Sequence, residues 1–198
     1  MLNQKKSTQI IRNILRNRMP KTAPNQDSSY RHAAVLTPLL EEAGVYKVLF
    51  TKRADHLEHH RGQISFPGGS VDEEDRSIEE TVLREVNEEI GLQRQDVDIL
   101  GRIDDTVTML SNFIVHPFVG RIPPSYNFSI NKGEVDRLIK VPLNFFYPGN
   151  STLKRKEIGF EGGSFYGPTY EYNGDLIWGA TARIMENFMN IICSNRKR

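Results

Sequence analysis

The stretch of sequence that decides the fold is residues 66–92, FPGGSVDEEDRSIEETVLREVNEEIGL. It begins with a Gly-Gly turn, continues through an acidic loop and enters a segment over 78–90 that we predict to be a helix. Ser77 and Glu80 have the spacing of a capping box at the start of that helix, and Gly91 suits its C-terminal end. Several carboxylates thus lie on one short helix behind a tight turn. This arrangement favours binding of a divalent cation and a phosphate-rich ligand.

A helical wheel separates the glutamates of this predicted helix. Drawn at about 100° per residue, the apolar side chains form one arc, which consists of Ile78, Val82, Leu83, Val86 and Ile90. Glu85 and Glu89 lie at the edge of the arc, roughly 40° apart, whereas Glu88 lies further toward solvent. An ionised carboxylate beside the core is unfavourable unless a cation or a donor compensates its charge. A solvated acidic face is the usual alternative, but the preceding turn and the Arg-Glu-x-x-Glu-Glu-x-Gly spacing favour a metal site.

The composition is that of a globular protein. Its 198 residues suffice for one domain with a core. The net charge of +1 argues against a dedicated nucleic-acid-binding protein, and no apolar run is long enough to span a bilayer. Cys193 is the only cysteine, so an intrachain disulfide is excluded. Because the N-terminus also lacks a secretory pattern, we expect the protein in the reducing cytoplasm.

The two ends of the chain are basic. Residues 1–21 contain six lysines and arginines and no acid. Apolar residues have helical spacing over 7–18, which predicts a helix packed on the domain surface, with a membrane or nucleic-acid contact as the alternative. We therefore divide the chain into an N-terminal basic helix with a linker, one domain and a basic tail, over 1–29, 30–193 and 194–198.

The remaining pattern predicts strands mixed with a few helices. A hairpin is expected from two apolar runs separated by Glu-Glu-Ala-Gly. Predicted strands cover 32–40, 45–53, 64–66, 97–103, 106–109, 113–119, 154–158 and 169–178, and further helices cover 133–139 and 179–193. Such a mixture is typical of an α/β (α+β) fold in which helices sandwich a mixed sheet.

The central segment resembles the Nudix box, written G-x5-E-x7-R-E-U-x-E-E-x-G-U with U apolar. Its second half is matched in order by Arg84, Glu85, Val86, Glu88, Glu89, Gly91 and Leu92. The first half departs from the pattern. Counted from Gly69, the acidic position is Asp75, with eight residues rather than seven before Arg84; counted back from Arg84, it is Arg76. In having this extra residue, the chain resembles one branch of the family, the coenzyme A pyrophosphatases.

An upstream motif of that branch, approximately L-L-T-x-R-S-x3-R-x3-G-x3-F-P-G-G, is also matched in part. Residues 49–54 begin it, and Gly62 and the FPGG sequence fall at the right spacing. Ala54 replaces the usual Ser, and Glu58 stands where an Arg is usual. If that Arg contacts a substrate phosphate, another base must replace it here, from among Arg53, His59, His60 and Arg61. Including further similar segments, the resemblance covers roughly residues 30–190.

The resemblance implies a Nudix-like α/β/α sandwich with a loop-helix-loop catalytic motif. It implies hydrolysis, dependent on Mg²⁺ or Mn²⁺, of a nucleoside diphosphate linked to another group. Coenzyme A or acyl-coenzyme A would yield 3′,5′-ADP and (acyl-)4′-phosphopantetheine. The partner is then a small nucleotide, and the protein would be a monomer or a homodimer without nucleic-acid or membrane contacts.

The resemblance also implies roles for individual residues. Glu85 and Glu89 would bind the metal, with Glu88 as a third ligand. Arg84 would orient a carboxylate by a bidentate pair, a surface ion pair being the alternative. The general base would be Glu88 or Glu134, although Glu134 also suits the N-terminus of the predicted helix over 133–139. Contacts with the substrate are expected from Arg53, Arg61, Gly68 and Gly69.

Two other functions stay open. Because Glu58 stands in place of Arg, one alternative hypothesis is a Nudix hydrolase that acts on NADH, ADP-ribose or a dNTP. A catalytically silent module that senses nucleotides or binds RNA is the second possibility, against which the intact Arg84-Glu85-x-x-Glu88-Glu89 argues. Three aromatic side chains could stack on adenine, although each is expected to belong to the core: Phe66, Phe113 and Tyr126.

Overall fold

The computed structural model describes residues 4–23, 30–58, 60–108, 111–150, 152–160 and 163–194. In chain order its elements are α1 (Gln4–Arg16), β1 (Arg31–Glu42), β2 (Val45–Arg53), β3 (Ile64–Ser65), β4 (Gly68–Ser70), α2 (Ile78–Ile90), β5 (Asp98–Arg102), β6 (Thr106–Thr108), β7 (Phe113–Arg121), β8 (Val135–Pro142), β9 (Leu153–Phe160), β10 (Gly163–Tyr172), β11 (Asp175–Ile177) and α3 (Gly179–Ser194). The expected linker over 24–29, His59, Met109 and the tail over 195–198 lie outside the described residues.

Within the described residues, eight strands form one mixed sheet with the path β3-β2-β1-β7-β5. β1 and β2 form the predicted antiparallel hairpin, and β1 runs parallel to β7. Beyond the hairpin β1 and β2 separate, so that β4 pairs with β1 and β3 pairs with β2. The Gly-Gly turn therefore lies in the opening between the two strands.

Helices cover both faces of this sheet, which confirms the predicted sandwich. On one face α2 packs Val82, Val86 and Ile90 against Ala34 and Leu36 of β1. On the other face α1 and α3 pack on a larger apolar cluster, to which they contribute Ile11, Leu15, Ile184, Met185 and Phe188. The position of α2 is thus set by burial of its apolar arc.

The helix predicted over 133–139 is wrong, because this segment begins the strand β8. β8 pairs antiparallel with β2, from Lys47 opposite Pro142 to Arg53 opposite Val135. Val135, Leu138 and Ile139 have helical spacing, but pairing with β2 satisfies the backbone of the whole segment, and tertiary context overrides the local pattern. Glu134 therefore does not lie at a helix N-terminus.

The strands β9, β10 and β11 form a second sheet; the strand predicted over 154–158 lies within β9, but a separate sheet was not expected. The strand expected over 169–178 is in fact the end of β10 together with β11, joined by a turn at Asn173-Gly174. The sequence signal was weak because exposed residues fill most of β9 and half of β10.

The N-terminal helix packs on the domain, as expected. Ile11 and Leu15 are buried, and a Cβ at Gly101 of β5 would lie 2.7 Å from Leu15 Cβ. Arg12 forms a 2.5 Å ion pair with Asp98. Part of the apolar stripe of this helix is therefore covered by protein, whereas Ile10 is 43% exposed. None of the helices in the described ranges is long and apolar enough to cross a bilayer.

Candidate active site

The helix α2 has the bounds and the caps that the sequence predicts. Ser77 Oγ accepts the Glu80 N–H at 3.1 Å, and Gly91 adopts a left-handed conformation with φ 69°. The second hydrogen bond differs from that of a capping box: the Glu80 carboxylate accepts the N–H of Arg76 at 3.1 Å instead of the N–H of Ser77. With both ends held, the directions of the α2 glutamates are fixed.

Glu89 is the buried carboxylate of the site, with 3% of its surface exposed. Its Oε2 accepts the Gly68 N–H at 3.1 Å. The pKa of Glu89 is raised to about 8, chiefly by burial; the charges of Glu134 and Glu85 contribute to this rise, whereas the hydrogen bond from Gly68 and the charge of Arg53 oppose it. A Cβ at residue 68 would lie 2.2 Å from the Ala34 carbonyl oxygen, so only glycine fits this contact.

Glu85 lies against the second glycine of the turn. A Cβ at Gly69 would come within 2.4 Å of Glu85 Oε2, so this glycine leaves the space that the carboxylate occupies. Burial raises the pKa of Glu85, and the charges of Glu88 and Glu134 add to the shift. Arg84 opposes it by a 3.0 Å hydrogen bond from Nη1. Both glycines of the turn thus contact a carboxylate of α2.

Arg84 holds the acidic loop to the helix. Nε and Nη2 donate to the two oxygens of Asp75 at 3.0 and 2.9 Å, which is a bidentate pair. Nη1 donates to Glu85 and Glu88, and Nη2 also donates to the Ser70 carbonyl at 3.0 Å. Hydrogen bonding from Arg84 holds the pKa of Asp75 well below its usual range. Of the two alignments of the box, the one that counts from the glycine therefore identifies the acid that faces Arg84.

Glu134 reaches the site from the loop before β8. The Asn131 N–H donates to the Glu89 carbonyl at 2.9 Å, which ties this loop to the end of α2. Asn131 Nδ2 in turn donates to Glu134 Oε1 at 3.1 Å. The half-buried Glu134 is close enough to raise the pKa of both Glu85 and Glu89.

The basic side chains expected to bind substrate differ in position. Arg53 is half-buried near Glu89, and its Nε is buried without a hydrogen-bond partner in the described part of the chain. Arg61 is exposed on the loop between β2 and β3, as are Glu58 and His60. Arg53 therefore belongs to the carboxylate cluster, while no described contact brings Arg61 to it.

The side chains of this site that could act as metal ligands suit a hard divalent cation. All are carboxylates, the ligands that Mg²⁺ and Mn²⁺ prefer, and burial leaves Glu89 with a raised pKa that a cation would reverse. Among the described residues no three His, Cys, Asp or Glu side chains are already arranged as metal ligands. Arg84 and the Gly68 N–H hold the α2 carboxylates instead.

The residues that sequence reasoning missed are partners of the expected ones. Asn131 positions Glu134, and Ser70 accepts from Arg84. Asp75 is the acidic position of the box only when it is counted from Gly69, and the sequence alone does not identify it as the bidentate partner of Arg84. The aromatic candidates for stacking are already engaged: Phe66 is in the core, Arg31 lies over the ring of Phe113, and Tyr126 contacts Phe128.

Comparison with known proteins agrees with this geometry. The model of the NUDIX domain matches residues 30–152. An uncharacterized Nudix hydrolase NudL of Photorhabdus laumondii is 34% identical over 167 residues, which cover 84% of this chain and 88% of that protein. Its counterpart from Yersinia enterocolitica is 36% identical over 156 residues, covering 78% and 77%. The crystal structure of a MutT protein from Methanosarcina mazei superposes with a TM-score of 0.54 at 18% identity, covering 88% of this chain and all of that one, which supports the fold. The chain therefore belongs to the Nudix hydrolase family.

Proposed function

We propose that this protein hydrolyses the diphosphate of coenzyme A or acyl-coenzyme A, yielding 3′,5′-ADP and (acyl-)4′-phosphopantetheine. The observation that carries the hydrolytic part is the under-compensated negative charge at the turn. Glu85 and Glu89 both have raised pKa values, and the carboxylate of Glu134 lies close to them. The coenzyme A part comes from the extra residue before Arg84 and the upstream motif over 49–69.

The metal ligands in this proposal are Glu85 and Glu89, with Glu88 as the third. Bound Mg²⁺ or Mn²⁺ would neutralise the diphosphate and acidify the attacking water. Arg84 acts as a positioning residue, because it holds Glu85 and Glu88 by one nitrogen while its other donors are anchored to Asp75.

Arg53 is the proposed contact for a substrate phosphate. Its buried Nε lacks a partner in the described ranges, so a phosphate oxygen would satisfy a donor that is otherwise costly to bury. Gly68 and Gly69 let the turn approach the same phosphate closely. Arg61, exposed on the neighbouring loop, would reach a more distant part of the substrate.

We assign the general base to Glu134. Glu88 is 53% exposed at its side chain, accepts a hydrogen bond from Arg84 and is the third metal ligand of this proposal. Glu134 is outside the Arg84 network and is oriented by Asn131. A carboxylate held in this way near the metal ligands can accept the proton of the attacking water.

A second candidate function is hydrolysis of NADH, ADP-ribose or a (d)NTP. Glu58 favours it, because this position carries an acid where the coenzyme A motif has an Arg, and Glu58 is exposed on the loop next to Arg61. The same carboxylates and the same metal would serve either substrate. The two candidate functions therefore differ in which substrate is recognised and not in how the diphosphate is hydrolysed.

The test is incubation of purified protein and Mg²⁺ or Mn²⁺ with coenzyme A, acetyl-coenzyme A, NADH, ADP-ribose and a dNTP, with products identified by mass. We expect 3′,5′-ADP from coenzyme A at the highest kcat/KM of the panel. Failure to release 3′,5′-ADP, together with turnover of another member, would refute the coenzyme A assignment. Glu58→Arg is an informative companion variant, since restoring the expected base should lower KM for coenzyme A and leave that for ADP-ribose unchanged.

A further inference from the structure

One face of the sheet β9–β11 carries mostly exposed or half-buried side chains, although Thr169 on this face is buried. Directly paired residues of antiparallel strands share a face, and the register pairs Ile158 with Phe165 and Glu171 with Leu176. The alternate residues Tyr170 and Ile177 are buried on the opposite face. We call the face that carries Ile158 and Phe165 the outer face. Its apolar and basic side chains are Lys154, Lys156, Ile158, Phe160, Phe165, Leu176 and Trp178.

Three aromatic rings form a cluster on the outer face. The ring centroid of Trp178 lies 5.9 Å from that of Phe160 and 6.1 Å from that of Phe165. All three side chains are half-buried rather than enclosed. A Cβ at Gly167 would lie 2.3 Å from the Phe165 ring, so the ring rests directly on the backbone of β10. The absence of a side chain at Gly167 thus makes room for a flat aromatic surface beside Trp178.

Intermediate contacts connect the cluster to the strand that carries Arg53. Trp178 immediately precedes α3, and Thr181 in the first turn of α3 donates from Oγ1 to the Ile64 carbonyl of β3 at 3.2 Å. The residue before Ile64, Gln63, accepts the Arg53 N–H at 3.0 Å. A chain of direct contacts therefore links the Trp178 segment to the strand end that carries Arg53.

The charge of the outer face selects among possible ligands. Lys154 and Lys156 are exposed on it, and Lys156 has only a 3.8 Å contact with the exposed Glu171. An uncharged alkyl chain would gain nothing from these lysines. A nucleobase that carries phosphate would gain from both features, since bases stack on aromatic rings and phosphates attract ammonium groups.

We propose that the outer face is the nucleobase subsite, in which Trp178, flanked by Phe160 and Phe165, stacks on the adenine of the substrate. Lys154 and Lys156 then face the phosphate on the ribose. The inference rests on the proposed function for the presence of an adenine nucleotide. It goes beyond that function in naming the residues that bind the part of the substrate remote from the scissile bond.

Fluorescence tests the proposal directly, because Trp178 is the only tryptophan in the chain. The intact protein is titrated in EDTA, which prevents turnover, with coenzyme A, 3′,5′-ADP and 4′-phosphopantetheine separately. We expect saturable quenching by coenzyme A and by 3′,5′-ADP, and none by 4′-phosphopantetheine. Quenching by 4′-phosphopantetheine alone would show that the face binds the apolar arm and would overturn the proposal.

Kinetics of Trp178→Ala give a second readout. Loss of one stacking contact should raise KM for the adenine nucleotide about tenfold, with kcat nearly unchanged because the chemistry lies elsewhere. Trp178→Phe should restore most of the affinity. Tyr166→Ala is the matched control, since Tyr166 follows Phe165 on β10 and is 71% exposed but belongs to the opposite face. If Trp178→Ala fails to fold, Phe160→Ala replaces it with the same expected effect on KM.

The outcomes separate this inference from the function on which it rests. Turnover of coenzyme A without quenching by any ligand would overturn the subsite and leave the function standing. Turnover of ADP-ribose or NADH instead, with quenching by that nucleotide, would overturn the coenzyme A assignment and support the subsite. Neither turnover nor quenching with any adenine nucleotide would refute both.

Discussion

Two buried carboxylates of this protein, Asp105 and Glu89, have pKa values that their surroundings shift in opposite directions. Asp105, whose side chain is 3% exposed, accepts from Arg102 at 2.8 Å and from the Ala23 N–H at 3.2 Å, and lies 2.9 Å from His116 Nδ1. Burial raises the pKa of Asp105, but hydrogen bonding and the charges of His116 and Arg102 outweigh it, so the pKa is lowered. The pKa of the equally shielded Glu89 is raised to about 8.

The difference shows which of the two carboxylates has its negative charge compensated by the protein itself, without a bound ligand. Around Asp105 the protein supplies the compensating cations itself, and a structural role follows. Around Glu89 it supplies one backbone N–H and the partial influence of Arg53, while Glu85 and Glu134 add further negative charge. Such a group favours binding of a cation from solution.

Glu89→Gln should have the largest effect on activity. The amide keeps the shape of the side chain but cannot serve as an anionic metal ligand. Since the metal supplies several kcal/mol of charge stabilisation, we expect kcat/KM to fall at least about a thousandfold. Thermal unfolding should show an intact fold. Wild-type turnover by this variant would remove Glu89 from the metal site.

Asp105→Asn should have the largest effect on stability. It leaves the half-buried Arg102 without its anion, and loss of such a partner costs about 1–3 kcal/mol. Denaturant unfolding measures the loss, with Glu89→Gln as the matched comparison, for which no comparable loss is expected. Equal destabilisation of the two variants would contradict the distinction between a complete and an incomplete charge cluster.

Arg84→Lys should have an intermediate effect. Lysine cannot form the bidentate pair with Asp75 while donating to Glu85, so the carboxylates lose their orientation. We expect kcat to fall roughly tenfold to a hundredfold, as for other partners of metal ligands. Arg94→Lys is the control, because the contact of Arg94 with Glu80 at 3.6 Å lies on the exposed surface. A kcat for Arg84→Lys that matches this control would reduce the Arg84 contacts to surface ion pairs.

The pH dependence of stability should show the smallest but a distinct effect. Asp104 and Asp105 have folded pKa values below the ordinary 3.8. The folded state therefore binds fewer protons there, so their stabilisation is present above about pH 4 and is lost as the pH falls through the folded values. Unfolding midpoints of the wild type should thus decline below pH 4, and those of Asp105→Asn less steeply. Parallel curves would assign the acid sensitivity to other groups.

The sequence predicts some elements well because several independent signals coincide. For α2 the apolar arc, the Ser77 cap and Gly91 all indicate the same bounds. For β8 they conflict, since Val135, Leu138 and Ile139 fit both a helix and a strand, and only pairing with β2 decides. The strands of the β9–β11 sheet are predicted only in part, because exposed side chains occupy most of β9 and the alternation there is not clean.

The same limit applies to the candidate site. The wheel correctly separates the buried Glu89 from the exposed Glu88, because both lie on one rigid helix. The partner of Arg84 depends on the conformation of the acidic loop, which no periodicity describes. Likewise, the approach of Glu134 depends on the backbone bond from Asn131 to the end of α2.

The most direct test of the incomplete cluster is calorimetric titration of the wild type, Glu89→Gln and Asp105→Asn with Mn²⁺ at constant pH. Saturable binding is predicted for the wild type and for Asp105→Asn at a temperature where that variant is folded. Binding should be lost or greatly weakened in Glu89→Gln. Wild-type Mn²⁺ affinity in Glu89→Gln would contradict the claim that the buried carboxylate of α2 is completed by a divalent cation.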